Sequence, residues 1–167
     1  MKYKYFLISI FAFLTDIFTK FLAKSYFLDE NGTLVNGPVQ ILGDYFRLNF
    51  VLNPGIAFGI RIGGQFFLTT LTIVLIIAIV VILLRLKKER KLEHVAFSLI
   101  LGGALGNLYD RALYGKVVDF FDSDFPDFIM ERWPVFNMAD SYVTVGMTLL
   151  FIQYLILDNI KNKKALD

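Results

Sequence analysis

An uninterrupted apolar segment, residues 66–84, constrains this chain more than any other feature of its sequence. The segment contains no charged residue, and as a helix it is long enough to cross about 30 Å of hydrocarbon. The whole chain of 167 residues is 56% hydrophobic and 19% charged, whereas a typical soluble domain carries about 25% charged residues. So little polar surface cannot cover a water-soluble fold of this size. The sequence therefore predicts a small membrane protein of about one domain.

Three further apolar segments contain or adjoin a few polar residues, and each is also typical of a membrane-spanning helix. The four expected spans cover about residues 5–24, 66–86, 94–113 and 138–158. Apolar residues occur all round these helices rather than along one stripe, which argues against the amphipathic helices of a soluble bundle. The expected fold is an all-α polytopic membrane protein with four transmembrane helices. It forms a single domain over residues 1–167, with loops at 25–65 and 114–137.

The first apolar segment has an alternative interpretation as a cleaved signal peptide, because Lys2 and Lys4 precede it. No small-residue cleavage site follows the segment, and Asp16 interrupts the run that a signal peptide keeps apolar. An uncleaved first span is therefore favoured.

Lysine and arginine predict the orientation of the spans, because basic residues collect in short cytoplasmic loops. Basic residues precede the first span, fill the connection between the second and third spans, and follow the fourth. With four crossings these segments share one side, so both termini are expected in the cytoplasm and the other two loops outside. The basic residues are Lys2, Lys4, Arg85, Lys87, Lys88, Arg90, Lys91, Lys161, Lys163 and Lys164.

Residues 45–52 of the first outer loop alternate between apolar and mostly polar side chains. A period of two indicates a β-strand with one face on protein or lipid. We therefore expect a small extracytoplasmic β-sheet at the outer membrane surface.

Several polar residues occur at membrane depth, where a charged side chain costs at least about 2.5 kcal/mol. Asp16 and Lys20 lie one helical turn apart in the favourable order for an ion pair, and a packing role is favoured over direct chemistry. Asn107, Asp110 and Arg111 share one face of the third span. A functional role is favoured for Asn107 and Arg111 and stays open against a structural one for Asp110.

Small residues recur every four positions in the third span, at Ser98, Gly102 and Gly106. Such a ladder allows another helix to approach closely. We expect a neighbouring helix to pack against this face.

Two aspartates lie near the two ends of the second outer loop. Asp119 would lie near the outer interface if the third helix continued that far. Asp140 falls in the first turn of the fourth span, after Pro134 and Asn137, a pattern typical of a helix start. Helix capping is the simpler interpretation for Asn137 and a weaker one for Asp140. The topology thus brings the unusual polar residues to one depth on the outer side.

Two carboxylates held close in a medium of low dielectric constant cannot both ionise cheaply, so they share a proton. Aspartic proteases use such a pair to activate water. Other hydrolase classes fit less well, because the chain lacks cysteine, an H-E-x-x-H motif and a G-x-S-x-G motif. Its one histidine, His94, is expected on the cytoplasmic side. A hydrolase of this sequence would therefore use aspartates.

Four motifs together resemble the lipoprotein signal peptidase, or signal peptidase II, family. They are Asp16-x-x-x-Lys20, Asn53-x-Gly55-x-Ala57-Phe58-Gly59, Gly106-Asn107-x-x-Asp110-Arg111-x-x-x-Gly115-x-Val117-Val118-Asp119-Phe120 and Phe136-Asn137-x-Ala139-Asp140-Ser141. The resemblance implies an aspartic endopeptidase of the bacterial inner membrane. Such an enzyme removes the signal peptide from lipidated prolipoproteins, cutting just before the diacylglyceryl-modified cysteine. The resemblance also implies a short helix on the membrane surface.

The resemblance assigns roles by motif position. Asp119 and Asp140 match the catalytic pair. Positions that bind substrate or orient it are Asn53, Gly55, Asn107, Arg111 and Asn137, and the supporting polar residues are Asp16, Lys20 and Asp110. No cofactor or metal is implied. The expected partners are lipidated prolipoproteins and membrane lipid but not nucleic acid, and the chain is expected to act as a monomer with its active site at the outer face.

Two other classes of protein remain as alternatives. A proton-coupled transporter would place carboxylates near the middle of the bilayer, often in repeated halves, and no repeat is visible here. A scaffold subunit would explain the small-residue ladder and the ion pair, but not two converging aspartates.

Overall fold

The structure, a computed structural model, describes residues 2–55, 64–125 and 132–157. Within them the chain forms four α-helices and three β-strands. In chain order these are α1 (Phe6–Phe27), β1 (Val39–Leu42), β2 (Phe46–Asn53), α2 (Gly64–Arg85), α3 (Lys91–Tyr114), β3 (Val117–Ser123) and α4 (Met138–Phe151). A 3-10 turn, Lys2–Tyr5, leads into α1, and a π-helical segment, Ile152–Leu157, follows α4. One helix therefore lies at each of the expected spans.

Two stretches of the described chain are long and apolar enough to cross a membrane by length and composition alone, Tyr3–Phe27 and Gly64–Arg85. They correspond to α1 and α2, which leave large apolar side chains such as Phe11, Phe21 and Val74 exposed. Extensive exposed apolar surface is typical of a membrane or protein interface. The helices α3 and α4 carry more of the polar residues, so four crossings remain a prediction.

Helix α3 packs closely against α1 along the expected small-residue ladder. A Cβ atom at Gly102 would lie 2.6 Å from the Ala12 Cβ atom, and one at Gly106 would lie 2.2 Å from Asp16 Oδ2. On another face, a Cβ atom at Gly103 would lie 2.4 Å from the Ala139 carbonyl oxygen of α4. The prediction of a close helix contact at Gly102 and Gly106 is confirmed.

The three strands form an antiparallel sheet in the order β1-β2-β3. This confirms both the small sheet and the strand expected at residues 45–52. Beneath the sheet, Phe27 at the end of α1 packs with Phe120 of β3 and with Leu48 and Phe50 of β2. The sheet is thereby fixed to the end of the helical bundle at which α1 and α3 terminate.

Helix α3 does not continue to Asp119. It ends at Gly115, whose φ of +72° is left-handed, and the Gly115 N–H donates to the Arg111 carbonyl oxygen. Glycine adopts this conformation at no steric cost and is the usual residue after a helix end. Asp119 therefore lies on β3 rather than on an extension of the third helix.

Several sequence predictions lie outside the described residues. They concern Ala57, Phe58 and Gly59 of the second motif, the basic residues after position 160, and the last position of the fourth span. The implied surface helix does not occur in the described parts of the outer loops, residues 28–55, 115–125 and 132–137.

Candidate active site

Asp119 and Asp140 come from different elements and share one hydrogen-bond partner. Asp119 lies on β3 and is 2% exposed. Its Oδ1 accepts a hydrogen bond from Asn137 Nδ2 at 2.6 Å, and its Oδ2 accepts one from Asn53 Nδ2 at 2.8 Å. Asp140 Oδ1 accepts from Asn107 Nδ2 at 2.8 Å, and Asp140 Oδ2 accepts from the Asn137 backbone N–H at 3.2 Å. Asn137 therefore binds both carboxylates, one through its side chain and the other through its backbone.

The first turn of α4 explains why Asp140 sits where it does. Asn137 is the N-cap residue, and its Oδ1 accepts from the Asp140 backbone N–H at 3.0 Å. Together with the reverse bond from the Asn137 N–H, this forms a capping box. Both residues thus cap the helix. The sequence favoured capping less for Asp140 than for Asn137, but Asp140 does cap α4. One of its carboxylate oxygens caps the helix and the other binds Asn107.

Asn107 orients the pair from α3. Its Oδ1 accepts from Lys20 Nζ at 3.0 Å and from Asn137 Nδ2 at 3.1 Å. With its oxygen held by two donors, the amide must turn Nδ2 toward Asp140.

Gly55 acts on Asn53 in a comparable way. The Gly55 N–H donates to Asn53 Oδ1 at 2.8 Å, which leaves Asn53 Nδ2 to face Asp119. Gly55 has a φ of +91°, and a Cβ atom there would lie 2.2 Å from Leu68 Cδ1. Glycine adopts this left-handed conformation at no steric cost, and a larger residue would also displace the tip of the Leu68 side chain.

A buried ion cluster lies behind the pair. Lys20 Nζ is 2.7 Å from Asp16 Oδ2 and 3.1 Å from Asp110 Oδ2. Asp16 Oδ1 accepts from the Ala139 backbone N–H at 2.8 Å, and Asp110 Oδ2 accepts from the Val118 backbone N–H at 3.1 Å. These two N–H groups belong to the residues directly before Asp140 and Asp119. The cluster therefore joins α1 and α3 to the backbone that carries each aspartate.

The electrostatic environment holds a proton on Asp119. Burial raises the pKa of Asp119 to about 7, with a further contribution from the negative charge of Asp140. The amide hydrogen bonds of Asn53 and Asn137 and the charge of Lys20 act in the opposite direction but do not cancel it. Below about pH 7 the pair thus carries at least one proton.

An apolar groove of about 690 Å³ leads to Asp140 between α2, α3 and α4. Its polar end consists of Asn107, Arg111 and Asp140, and Arg111 lies near enough to both aspartates to interact with them electrostatically. The apolar walls include Leu75, Ile79, Ile82, Phe97, Ile100 and Val143. Within the described residues, no group of three or more His, Asp or Glu side chains is arranged to hold a metal ion.

The sequence analysis missed one charged cluster, in which the partly exposed Arg47 and Arg132 bind a buried Asp122. Asp122 is 2% exposed. Its Oδ2 accepts from Arg47 Nε and its Oδ1 from Arg132 Nε, both at 2.6 Å. Burial tends to raise the pKa of Asp122, but the hydrogen bonds and charges of the two arginines outweigh it and lower the pKa below its usual value. No sequence pattern signals these contacts, because they depend on the pairing of β2 with β3 and on the chain path after residue 131.

Comparison with known proteins gives one consistent result. The family model described as signal peptidase (SPase) II matches residues 8–156. The chain is 38% identical over 137 residues to a lipoprotein signal peptidase of Desulfitobacterium hafniense, covering 81% of this chain and 86% of the relative. It is 38% identical over 160 residues to that of Brevibacillus brevis, covering 95% and 99%.

A solved structure supports the same relationship. It is described as "Bacterial membrane enzyme structure by the in meso method at 2.3 A resolution", and it superimposes on this chain with a TM-score of 0.79 at 31% identity. The match covers 96% of this chain and 91% of the solved one.

Proposed function

The chain belongs to the signal peptidase II family, and we propose that it hydrolyses its substrates with the aspartate pair Asp119 and Asp140. Family membership makes it a bacterial membrane protease that cleaves signal peptides from prolipoproteins. It also favours a protease over the transporter and scaffold alternatives. The observation that carries the proposal is the arrangement of Asn137, which binds both carboxylates from one helix start.

The pair acts in the singly protonated state. Asp119 holds the proton, since its pKa is raised to about 7, and Asp140 is the base. Asp140 takes a proton from water as the water oxygen bonds to the scissile carbonyl carbon, while Asp119 donates its proton to the carbonyl oxygen. When the tetrahedral intermediate collapses, the C–N bond breaks, the leaving nitrogen receives the proton from Asp140, and the hydroxyl proton returns to Asp119.

The neighbouring residues divide into two groups by their contacts. The side-chain amides of Asn53, Asn107 and Asn137 donate hydrogen bonds to the two carboxylates, so these residues orient the pair. Arg111 lines the groove beside Asp140, where its guanidinium would bind carbonyl oxygens of the substrate backbone.

The groove gives the substrate its path. Its apolar walls suit one face of a hydrophobic signal helix, and its polar end suits the peptide bond that follows the helix. The scissile bond precedes the diacylglyceryl-modified cysteine, which would lie at the outer face of the inner membrane. Four crossings with cytoplasmic termini place the aspartates on that face. Every residue assigned to the reaction comes from one chain, so the proposed reaction needs no more than a monomer.

Replacement of either aspartate by asparagine tests the proposal. Purified D119N and D140N variants are assayed on a diacylglyceryl-modified prolipoprotein peptide, with D124N as a control of the same charge change in the same outer loop. We expect D119N and D140N to lose activity by at least about 10²-fold, since positioned acid–base groups contribute about 10²–10⁴-fold, while D124N keeps parental activity. Folded D119N or D140N protein with parental turnover would refute the proposed pair.

A further inference from the structure

We propose that Asp122 is a positioning residue for Asp119, because it anchors the two chain segments that supply Asp119 with its amide donors. The inference rests on the proposed role of Asp119 in catalysis. The two segments are β2, which carries Asn53, and residues 132–136, which lead into Asn137. Each segment also carries one arginine that binds Asp122.

Side chains near both ends of strand β2 bind aspartates of β3. Arg47 pairs with Asp122 across the sheet and donates to its carboxylate at 2.6 Å. Six residues further along β2, Asn53 donates to Asp119. The pairing of β2 with β3 therefore fixes where the Asn53 amide meets Asp119.

A β-bulge allows β2 to serve both aspartates. Asp119 and Asp122 are three positions apart on β3, so their side chains point to opposite faces of the sheet. Arg47 and Asn53 are separated by an even number of positions and would share a face in a regular strand. The register of β2 shifts between Leu48 and Val51, and the extra residue there reverses the alternation. Arg47 can then meet Asp122 while Asn53 meets Asp119.

Residues 132–136 run beside β3 and are held at both ends. Near the start, the Trp133 N–H donates to the Ser123 carbonyl oxygen at 3.0 Å, and Arg132 Nε donates to Asp122 at 2.6 Å. At the end, the Phe136 N–H donates to the Phe121 carbonyl oxygen at 3.0 Å. Asn137 follows at once and binds Asp119. The Arg132–Asp122 contact thus fixes the segment that delivers the second amide donor.

The pH dependence of the reaction distinguishes positioning from a merely structural role. The charged groups that face Asp119 are Asp140 of α4, Lys20 of α1 and Arg111 of α3. None of them touches Asp122 directly. The Asn53 and Asn137 hydrogen bonds favour the charged form of Asp119, so loosening them raises the pKa of Asp119. The alkaline limb of the pH–rate profile, where Asp119 loses its proton, then moves to higher pH.

The test compares D122N with D44N on the lipidated prolipoprotein peptide between pH 5 and 9. Asp44 is a matched control, since its carboxylate is 74% exposed and 4.0 Å from Arg47. A displacement of about 1 Å can cost up to about 10²-fold in rate. For D122N we expect kcat to fall at least about tenfold with KM within about threefold of the parent, and the alkaline limb to move up by about half a pH unit. D44N should match the parent.

Two single-arginine variants keep the inference testable if D122N does not fold. R132Q removes the side-chain contact between residues 132–136 and Asp122, and R47Q removes the one from β2. Each variant leaves one arginine to neutralise Asp122, and both should show the same upward shift. Folded variants with parental kcat, or with reduced kcat and an unmoved alkaline limb, would overturn the inference. The proposed function fails separately, through an active D119N. An inactive D119N beside a fully active D122N refutes only the role of Asp122.

Discussion

At the residue scale, the two candidate catalytic aspartates are held by the same kinds of contact although they lie on different elements. A carboxamide side chain binds each carboxylate, and the backbone N–H just before each aspartate donates to a supporting carboxylate, Asp110 or Asp16. Lys20 forms an ion pair with each of these supports. The environments nevertheless differ, because Asp119 is almost fully buried and Asp140 only partly. That asymmetry is why the proton is assigned to Asp119.

The raised pKa of Asp119 predicts a pH-dependent difference in stability between the parent and D119N. In the unfolded chain Asp119 titrates near 3.8, and in the folded protein near 7. Between these values the folded protein binds a proton that the unfolded chain has released, so the parent loses stability as the pH rises. D119N lacks this titration. Its melting temperature relative to the parent should therefore rise from about pH 4 to about pH 7 and stay constant above.

Thermal unfolding in detergent micelles measures this difference. Each tenfold change in proton affinity corresponds to about 1.4 kcal/mol. The difference in free energy of unfolding between D119N and the parent therefore changes by at most about 4 kcal/mol over this pH range. D44N, which makes the same change of charge at an exposed residue, is measured in parallel. A difference between D119N and the parent that is flat from pH 4 to 7 would contradict the protonation state assigned to Asp119.

At the element scale, α3 is the helix on which the other helices and the site depend. Its glycines bring α1 and α4 within direct backbone contact, and this proximity lets Asp16 reach the Ala139 N–H across the interface. The polar contacts of the site thus depend on this close packing. Longer side chains at the glycine positions of α3 would separate the donors from their acceptors.

Gly106→Ala tests this dependence. The new Cβ atom would lie 2.2 Å from Asp16 Oδ2 and 2.9 Å from Asp16 Cγ, and Asp16 is held by Lys20 and by the Ala139 N–H. Overpacking of a buried contact costs about 1–3 kcal/mol, so G106A should unfold at a lower temperature and lose peptidase activity. Gly37→Ala is the control, since nothing lies within 4 Å of its Cβ position. Equal stability of G106A and G37A would show that α1 and α3 can separate without consequence.

The elements that the sequence predicted are those with a visible pattern. Four long apolar segments located the helices, and the alternation at 45–52 located β2. Strand β3 has no such alternation, because Val117 to Phe120 are all buried and both faces of the strand pack against protein. The site residues were named from motifs, whereas the Asp122 cluster was not, since the strand pairing that places Arg47 opposite Asp122 has no signature in the sequence.

At the scale of the whole molecule, apolar exposure and charge lie at different places along the bundle. Exposed apolar side chains cover the long helices α1 and α2, including Leu7, Phe18 and Ile77. The basic connection between α2 and α3 lies at the end of α2 opposite to the sheet. A membrane around the apolar surface would therefore separate the basic connection from the sheet and the aspartate pair, which is the arrangement that the positive-inside rule predicts.

The absence of cysteine from the chain allows this orientation to be tested directly. Lys88→Cys places one thiol in the basic connection, and Gly37→Cys places one in the first outer loop, where both native residues are exposed. In intact cells, a membrane-impermeant maleimide should label G37C and leave K88C unlabelled, because charged reagents do not cross the hydrocarbon core. After the cells are opened, both variants should react, and the cysteine-free parent supplies the background. Labelling of K88C in intact cells, with G37C protected, would show that the orientation is the reverse of the predicted one. The aspartate pair would then lie at the cytoplasmic face, where the cleavage site of a translocated prolipoprotein could not reach it.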